Sequence, residues 1–292
     1  MDIESMVTGK TRVIGIIGNP IEHSISPQLH NTLSRQLGLN IIYVPFKVEG
    51  SDLGCAVKGL KCLNVLGFNV TIPYKESIIS YLDEITEEAE LMGSVNTVKN
   101  IEGKLFGFNT DARGFVQSFT KEAKATFKDK TVAIIGAGGT ARALAVKIAL
   151  EESRKIYIIN RTLQKAEEIA SRINDKIGNV ALAVNLDSKE STLALSEADI
   201  LVNTTPLGMY PDTERTPLNK DFRFSKNQIV FDVIYNPRKT LFLARAEECG
   251  CTIVNGFGML ISQGIQAYEI WTDTKIPSTL SEQVQDLLLK YI

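Results

Sequence analysis

The sequence is short of the features that mark several large classes of protein. It holds 4 cysteines and 2 histidines in 292 residues. None of Cys55, Cys62, Cys249 and Cys251 forms a C-x-x-C pair, and His23 and His30 do not complete a zinc set with them. Cys249-x-Cys251 reads as plain buried thiols, the usual state of free cysteine. The expectation is a reduced, cytoplasmic chain without a metal. Charge of one sign is missing too: 32 Lys+Arg face 34 Asp+Glu, for a formal net charge of −2, with no block of like charges. A nucleic-acid binder would show a basic face or tail, so no nucleic-acid partner is expected. No apolar stretch approaches the ~18 residues of a membrane span. The opening MDIESMVTGK lacks the basic-then-apolar form of a signal peptide.

What is present belongs to a globular, small-molecule protein. Apolar residues make up 44% and charged residues 23%, close to the average for folded domains. At roughly 100–200 residues per domain, the length suggests two domains. Arg12–Ile17, Ile41–Val48 and Val65–Val70 read as buried strands, with helical spacing over Ser26–Leu37 and Asp52–Leu63 between them. Such alternation argues for βαβ units and a mainly parallel sheet. An acidic helical stretch follows Lys75. Val95–Val98 and Lys104–Phe108 then flank Asn100-Ile101-Glu102-Gly103, the pattern of a hairpin at a sheet edge. A second series starts at Thr131: TVAII, KIYIIN, NVALAV, ADILVN and QIVFDVI suggest a doubly wound sheet of about six strands. The tail from Met259 is helical, with Trp271 on its apolar side. Periodicity does not say which domain those last helices cover, and it leaves monomer and homodimer open.

The sharpest local signal is Gly136-Ala-Gly138-Gly139-Thr-Ala141, a G-x-G-x-x-A run between a strand and a helix. The first glycine allows a tight turn, the second lets backbone approach a pyrophosphate, and Ala141 lets the helix pack on the strand. The helix N-terminus then offers free N–H groups to the anion. An NAD-binding fold places Asp or Glu at the end of the next strand to hold the ribose 2′-hydroxyl. Here that strand ends Asn160-Arg161-Thr162, with Lys165 following. A guanidinium pairs with a 2′-phosphate where an acid would repel it, so NADP is favoured over NAD.

Polar residues also end a strand of the first series in Asn69-Val-Thr71-Ile-Pro73-Tyr-Lys75. Asn96-Thr97 and Asn109-Thr110-Asp111 add two Asn-Thr pairs and a carboxylate. Asn and Thr both donate and accept, which suits a polyhydroxylated ligand, and ligands of open α/β sheets sit beyond the carboxyl ends of strands.

Taken together, these segments resemble the shikimate dehydrogenase family over nearly the whole chain. Gly18-Asn-Pro20-Ile-Glu-His23-Ser24-Ile-Ser26-Pro27, running on to His30-Asn31, resembles the family's substrate loop. NVTIPYK, GSVNT and GFNTD resemble its next three blocks, and GAGGTARA and NRT its NADP blocks. Asn203-Thr-Thr205-Pro206-Leu-Gly208-Met209, Asp232-Val-Ile-Tyr235-Asn-Pro237 and Gly258-Met-Leu260-Ile-Ser-Gln263 complete the series. The resemblance implies an N-terminal α/β substrate domain, a C-terminal Rossmann-type NADP domain, and last helices returning to the first. The boundaries would be 1–112 with 256–292, and 113–255. The implied reaction is reversible NADPH-dependent reduction of 3-dehydroshikimate to shikimate in aromatic amino-acid biosynthesis.

By matching position, Ser24, Ser26, Asn69, Thr71, Asn96, Tyr235 and Gln263 would bind substrate, and Lys75 with Asp111 would form the catalytic pair. NADP would lie on Gly136, Ala137, Gly138, Gly139, Thr140 and Ala141, then Asn160, Arg161, Thr162 and Lys165, and finally Thr205, Met209 and Gly256. Two departures stand out: Thr140 where the family often has a small residue such as Ala, and Lys165 where some members carry a second Arg. Hydride transfer to or from a secondary alcohol needs a proton to move on its oxygen, and a lysine held by a carboxylate can move it. His23 and His30 are expected to be structural, as hydrogen-bonded rings shaping the loop. Ser24 and Ser26 lack the G-x-S-x-G elbow of a nucleophile. Two alternatives remain: a quinate/shikimate dehydrogenase with relaxed NAD/NADP use, and a non-catalytic NADP-sensing protein on the same fold. The first would carry an acid after the second strand, where Thr162-Leu163 stands; the second would have lost Lys75 or Asp111.

Overall fold

The computed structural model describes residues 7–291. Residues 1–6, the first part of the polar N-terminal segment read above, and residue 292 lie outside the described residues. The chain divides into two compact units, one running to Thr110 and taking up Gln263–Tyr291, the other spanning Asp111–Ser262.

The first unit opens with β1 (Arg12–Gly18), α1 (Ser26–Gln36), β2 (Ile41–Lys47), α2 (Leu53–Cys62) and β3 (Gly67–Val70). β1 pairs in parallel with both β2 and β3, so Ile14 lies opposite Tyr43 on one side and Gly67 on the other. A strand covered on both faces needs no polar alternation, which is why most of β1 and the stretch leading into β3 read as continuous apolar runs. Pro27 falls in the first turn of α1, where its missing N–H has no helical partner to lose.

The acidic stretch after Lys75 is not one helix. It breaks into a 3-10 turn at Ser77–Tyr81, a two-residue strand β4 (Glu84–Ile85), and α3 (Glu87–Met92). The Thr86 hydroxyl accepts from the Ala89 N–H at the start of α3, which restarts the helix there. β5 (Thr97–Ile101) and β6 (Lys104–Phe108) form the expected hairpin. It is not at the sheet edge, however: the order is β2-β1-β3-β5-β6-β4, with β4 covering the outer side of β6. Two residues are too few to show a period of two.

The second unit contains α4 (Asp111–Ala123), β7 (Thr131–Ile135), α5 (Gly139–Leu150), β8 (Lys155–Asn160), α6 (Leu163–Lys176) and β9 (Ala181–Asn185). It continues with α7 (Lys189–Glu197), β10 (Ile200–Asn203), β11 (Ile229–Asp232), α8 (Leu241–Glu248) and β12 (Thr252–Val254). The sheet order is β12-β11-β10-β7-β8-β9, all parallel. The strand order therefore reverses between β7 and β10, the switch point where doubly wound sheets bind nucleotides.

Two helices close the chain, α9 (Phe257–Thr272) and α10 (Ser278–Leu288). Trp271 decides what they cover. Its side chain is 1% exposed, its Nε1–H donates to the Val98 carbonyl at 2.8 Å, and its ring occupies the space a Cβ on Gly67 would take. α9 thus seals β3 and β5 of the first unit, while α10 packs against α1. Among the described residues no helix is long and apolar enough to cross a membrane.

Candidate active site

In the first unit the sequence-predicted polar residues gather at the end of β3. Asn69, Asn96 and Gln263 are all buried, as is Ser26 at the start of α1. Asn69 donates from Nδ2 to the Asn96 carbonyl and to Thr97 Oγ1, both at 3.1 Å. Asn96 Oδ1 accepts from the Thr110 N–H at 2.7 Å and from Thr97 Oγ1 at 3.1 Å. Its Nδ2 donates to Thr110 Oγ1 at 3.0 Å and to Gln263 Oε1 at 3.5 Å. The two Asn-Thr pairs are thus one network, and Gln263 from α9 joins it. Ser24 lies just before α1 and its hydroxyl accepts from the Ser26 N–H at 3.3 Å. Thr71 and Lys75 follow β3, half-buried, and the Lys75 carbonyl accepts from the Val95 N–H at 2.8 Å. Asp111, 7% exposed, is the first residue of α4 and of the second unit.

Some members of this cluster carried little sequence signal. Tyr43 donates from its hydroxyl to Asn69 Oδ1 at 2.8 Å, yet it sits inside an apolar strand where an aromatic is unremarkable. Thr97 and Thr110 were visible only as the second members of Asn-Thr pairs. The expectation for the histidines needs correction: His23 is exposed, and His30, fully buried, has no hydrogen-bond partner on either ring nitrogen. His30 is held by ring stacking instead, parallel to Tyr43 at 4.3 Å. Burial pushes its pKa down to about 3, with the facing Asn69 amide opposing, so the ring stays neutral near pH 7.

In the second unit the nucleotide signature has the geometry its residues suggest. Gly136 has φ of +113, and a Cβ there would fall 2.4 Å from Thr204 Oγ1. Gly138 caps α5, and a Cβ on it would meet nothing within 4 Å, leaving its backbone open to an approaching ligand. Ala141 is 1% exposed, packed where a larger side chain would lift the helix from the strand. Gly139 and Thr140 form the first turn of α5, next to the buried Ala137. Beyond β8, Asn160 donates from Nδ2 to the Thr162 carbonyl at 2.9 Å. Thr162 is the N-cap of α6 but its hydroxyl makes no capping bond. Arg161 and Lys165 are exposed on the same short segment. Open backbone at a helix start, with two cations and no acid beyond the next strand, fits a dinucleotide carrying a 2′-phosphate.

Across the switch point, Asp232 ties three segments together. Its fully buried carboxylate accepts from Asn203 Nδ2 at 3.0 Å, the Ile234 N–H at 3.1 Å and Thr240 Oγ1 at 2.7 Å. Asn203 Oδ1 in turn accepts from Thr205 Oγ1 at 2.7 Å, fixing the loop that presents the exposed Met209. Tyr235 follows on the next loop, and burial raises its phenol pKa. Gly256 N–H donates to the Ile234 carbonyl at 3.1 Å, and a Cβ at Gly256 would fall 2.0 Å from the Val233 carbonyl oxygen. Backbone against backbone cannot give way. Gly256→Ala is therefore expected to destabilise the protein by about 1–3 kcal/mol or more, read as a shift in urea midpoint.

The same carboxyl gives a pH signature. Burial pushes the Asp232 pKa up to about 7, against the opposing hydrogen bonds from Thr240, Ile234 and Asn203. An unfolded chain loses that proton near pH ~3.9. Between about pH 4 and 7 the folded state therefore binds more protons than the unfolded one, and stability falls as pH rises. In urea unfolding, the advantage of Asp232→Asn over the unchanged protein should grow across that window and level off above it. An advantage that shrinks with rising pH contradicts this assignment.

The comparisons with known proteins agree with this geometry. Residues 16–98 match the family description "Shikimate dehydrogenase substrate binding domain", and residues 118–239 match "Shikimate / quinate 5-dehydrogenase". A shikimate dehydrogenase (NADP(+)) of Alkaliphilus oremlandii is 46% identical over 93% of this chain and 95% of its own. One from Methanopyrus kandleri is 43% identical over 95% and 96%. The crystal structure of shikimate 5-dehydrogenase from Listeria monocytogenes, in complex with shikimate and NAD, is 38% identical and superposes with a TM-score of 0.89, covering 97% of this chain and 98% of that one.

Proposed function

The chain belongs to the shikimate dehydrogenase family, and we propose that it reduces 3-dehydroshikimate reversibly to shikimate with NADPH in aromatic amino-acid biosynthesis. The observation that carries the reading is the joint presence of the buried Asn69-Asn96-Gln263 network and the open Gly138 turn followed by Arg161. The network supplies directed donors and acceptors for a ring with several hydroxyls. Ser24, Ser26 and Thr71 border the same end of the first sheet, and Tyr235 supplies a further phenol. NADPH, when bound on the second unit, supplies the hydride. Lys75 and Asp111 are the catalytic pair of this reading, with Lys75 moving the proton at the substrate oxygen. We assign the substrate domain to 1–112 with 256–292 and the cofactor domain to 113–255. A cytoplasmic setting is part of the same reading, supported by four free thiols.

The alternatives have less behind them. No acid follows β8 to accept NAD, and the Lys-Asp pair that a non-catalytic relative would have lost is present. Absorbance at 340 nm with shikimate or quinate, and NADP or NAD, tests the reading directly. Turnover with shikimate and NADP is expected. Its absence, or a faster rate with quinate and NAD, would overturn the assignment.

A further inference from the structure

His30 and Asn31 have no part in the chemistry just described, yet both act on one residue. Asn31 clamps the backbone of Tyr43: its Oδ1 accepts from the Tyr43 N–H at 2.8 Å and its Nδ2 donates to the Tyr43 carbonyl at 3.0 Å. His30 stacks on the Tyr43 ring and lies parallel to Tyr268 at 5.9 Å. Tyr268 is itself anchored by a hydrogen bond shared with Ser34 at 2.9 Å. The Tyr43 phenol, 1% exposed, is thereby fixed with the Ser26 hydroxyl facing it and Asn69 Oδ1 accepting its proton.

The direction of that last bond is forced. Asn69 lies 3.1 Å from the Asn96 carbonyl, which can only accept, so the amide nitrogen must point there and the amide oxygen toward Tyr43. The second amide hydrogen goes to Thr97. Both donors of Asn69 are then occupied, and one lone pair of Oδ1 is all it can offer a ligand.

We infer that Tyr43, held by His30 and Asn31, is a positioning and specificity residue: the Asn96 carbonyl orients the Asn69 amide, and the Tyr43 hydroxyl holds its Oδ1 in place as an acceptor for a substrate hydroxyl. The inference rests on the shikimate reading above. The hydroxyl must be one the reaction leaves unchanged, because the reacting oxygen is a carbonyl in one direction and would face Asn69 acceptor to acceptor. A keto group at the recognised position would likewise leave buried polar groups unsatisfied. The fixed amide therefore selects hydroxylated rings over their more oxidised relatives.

Steady-state kinetics of Tyr43→Phe, Asn69→Ala and the double variant test this. Tyr43→Phe keeps the ring stack and removes one oxygen. It is expected to raise the shikimate KM about tenfold, or about 1.4 kcal/mol, and to leave the NADP KM within about twofold. In the Asn69→Ala background the same change should add less than about twofold, because the amide it holds in place is gone. Asn31→Ala should raise the shikimate KM in the same selective way. An unchanged shikimate KM in Tyr43→Phe, fully additive factors, or equal rises in both KM values would overturn the inference while shikimate turnover by the unchanged protein stands. Absence of that turnover would instead remove the functional reading, and this inference with it.

Discussion

Replacing Lys75 with alanine is expected to lower kcat for shikimate oxidation by roughly 10²–10⁴ while leaving the NADP KM close to that of the unchanged protein. The size follows from what the side chain is asked to do. As hydride leaves the carbinol carbon, the oxygen must shed its proton, and general base catalysis by a placed group is worth about that factor. Lys75 follows β3 on a segment pinned by the hydrogen bond from Val95 to its own carbonyl, so its Cα is fixed although its side chain is half-exposed. Asp111 is buried at the first turn of α4, where the positive end of the helix favours a carboxylate. Asp111→Asn should also lose turnover, because the proposed pair would then lack its carboxylate charge. Near-normal kcat in Lys75→Ala across a pH series would remove Lys75 from proton transfer and return the question to the other polar residues of the cluster.

The fold was legible wherever burial left a period in the sequence. Most of β1, β7, β8 and β10 are apolar runs buried on both faces, and the helices between the strands show their stripes. β4 was not legible, since two residues carry no period. The destination of α9 and α10 was not legible from periodicity either. It is set by one long-range fit, the Trp271 ring in the space above Gly67, and such a fit leaves no local mark at either end. The site divides in the same way. Glycines and a cation beyond β8 are a local code, readable because the geometry they serve is local. Tyr43 and His30 belong to the network through contacts across strands and helices, and a tyrosine inside an apolar strand is indistinguishable from a packing residue. The expectation that the histidine rings are hydrogen-bonded failed for a related reason: aromatic rings pack on His30, and the facing Asn69 amide spends its hydrogen bonds on Tyr43, Asn96 and Thr97. Stacking satisfies the ring's apolar faces while leaving its nitrogens bare.

Arg161→Ala is expected to erase most of the preference for NADP over NAD, and to do so by weakening NADP alone. The segment Asn160-Arg161-Thr162 stands where an NAD enzyme keeps a carboxylate, and Asn160 is turned back onto the Thr162 carbonyl rather than outward. That leaves the Arg161 guanidinium, the uncommitted Thr162 hydroxyl and the Lys165 ammonium in the first turn of α6 as the polar groups beyond β8. A charge-assisted hydrogen bond to a phosphate contributes about 1.5–3 kcal/mol, or about 10–150-fold in binding. The unchanged protein should therefore prefer NADP by at least that factor in kcat/KM. NAD has no 2′-phosphate to lose, so its kcat/KM should hardly move in the variant. Lys165→Ala should have a smaller effect of the same sign, because an ammonium on a flexible stem meets the phosphate as a point charge rather than through a planar fork. Both cations are exposed, so the preference should also shrink as salt is raised from about 0.15 M to 1 M and the screening length falls from about 8 Å to 3 Å. Equal use of the two cofactors by the unchanged protein would take the 2′-phosphate away from Arg161 and favour the relaxed quinate/shikimate reading.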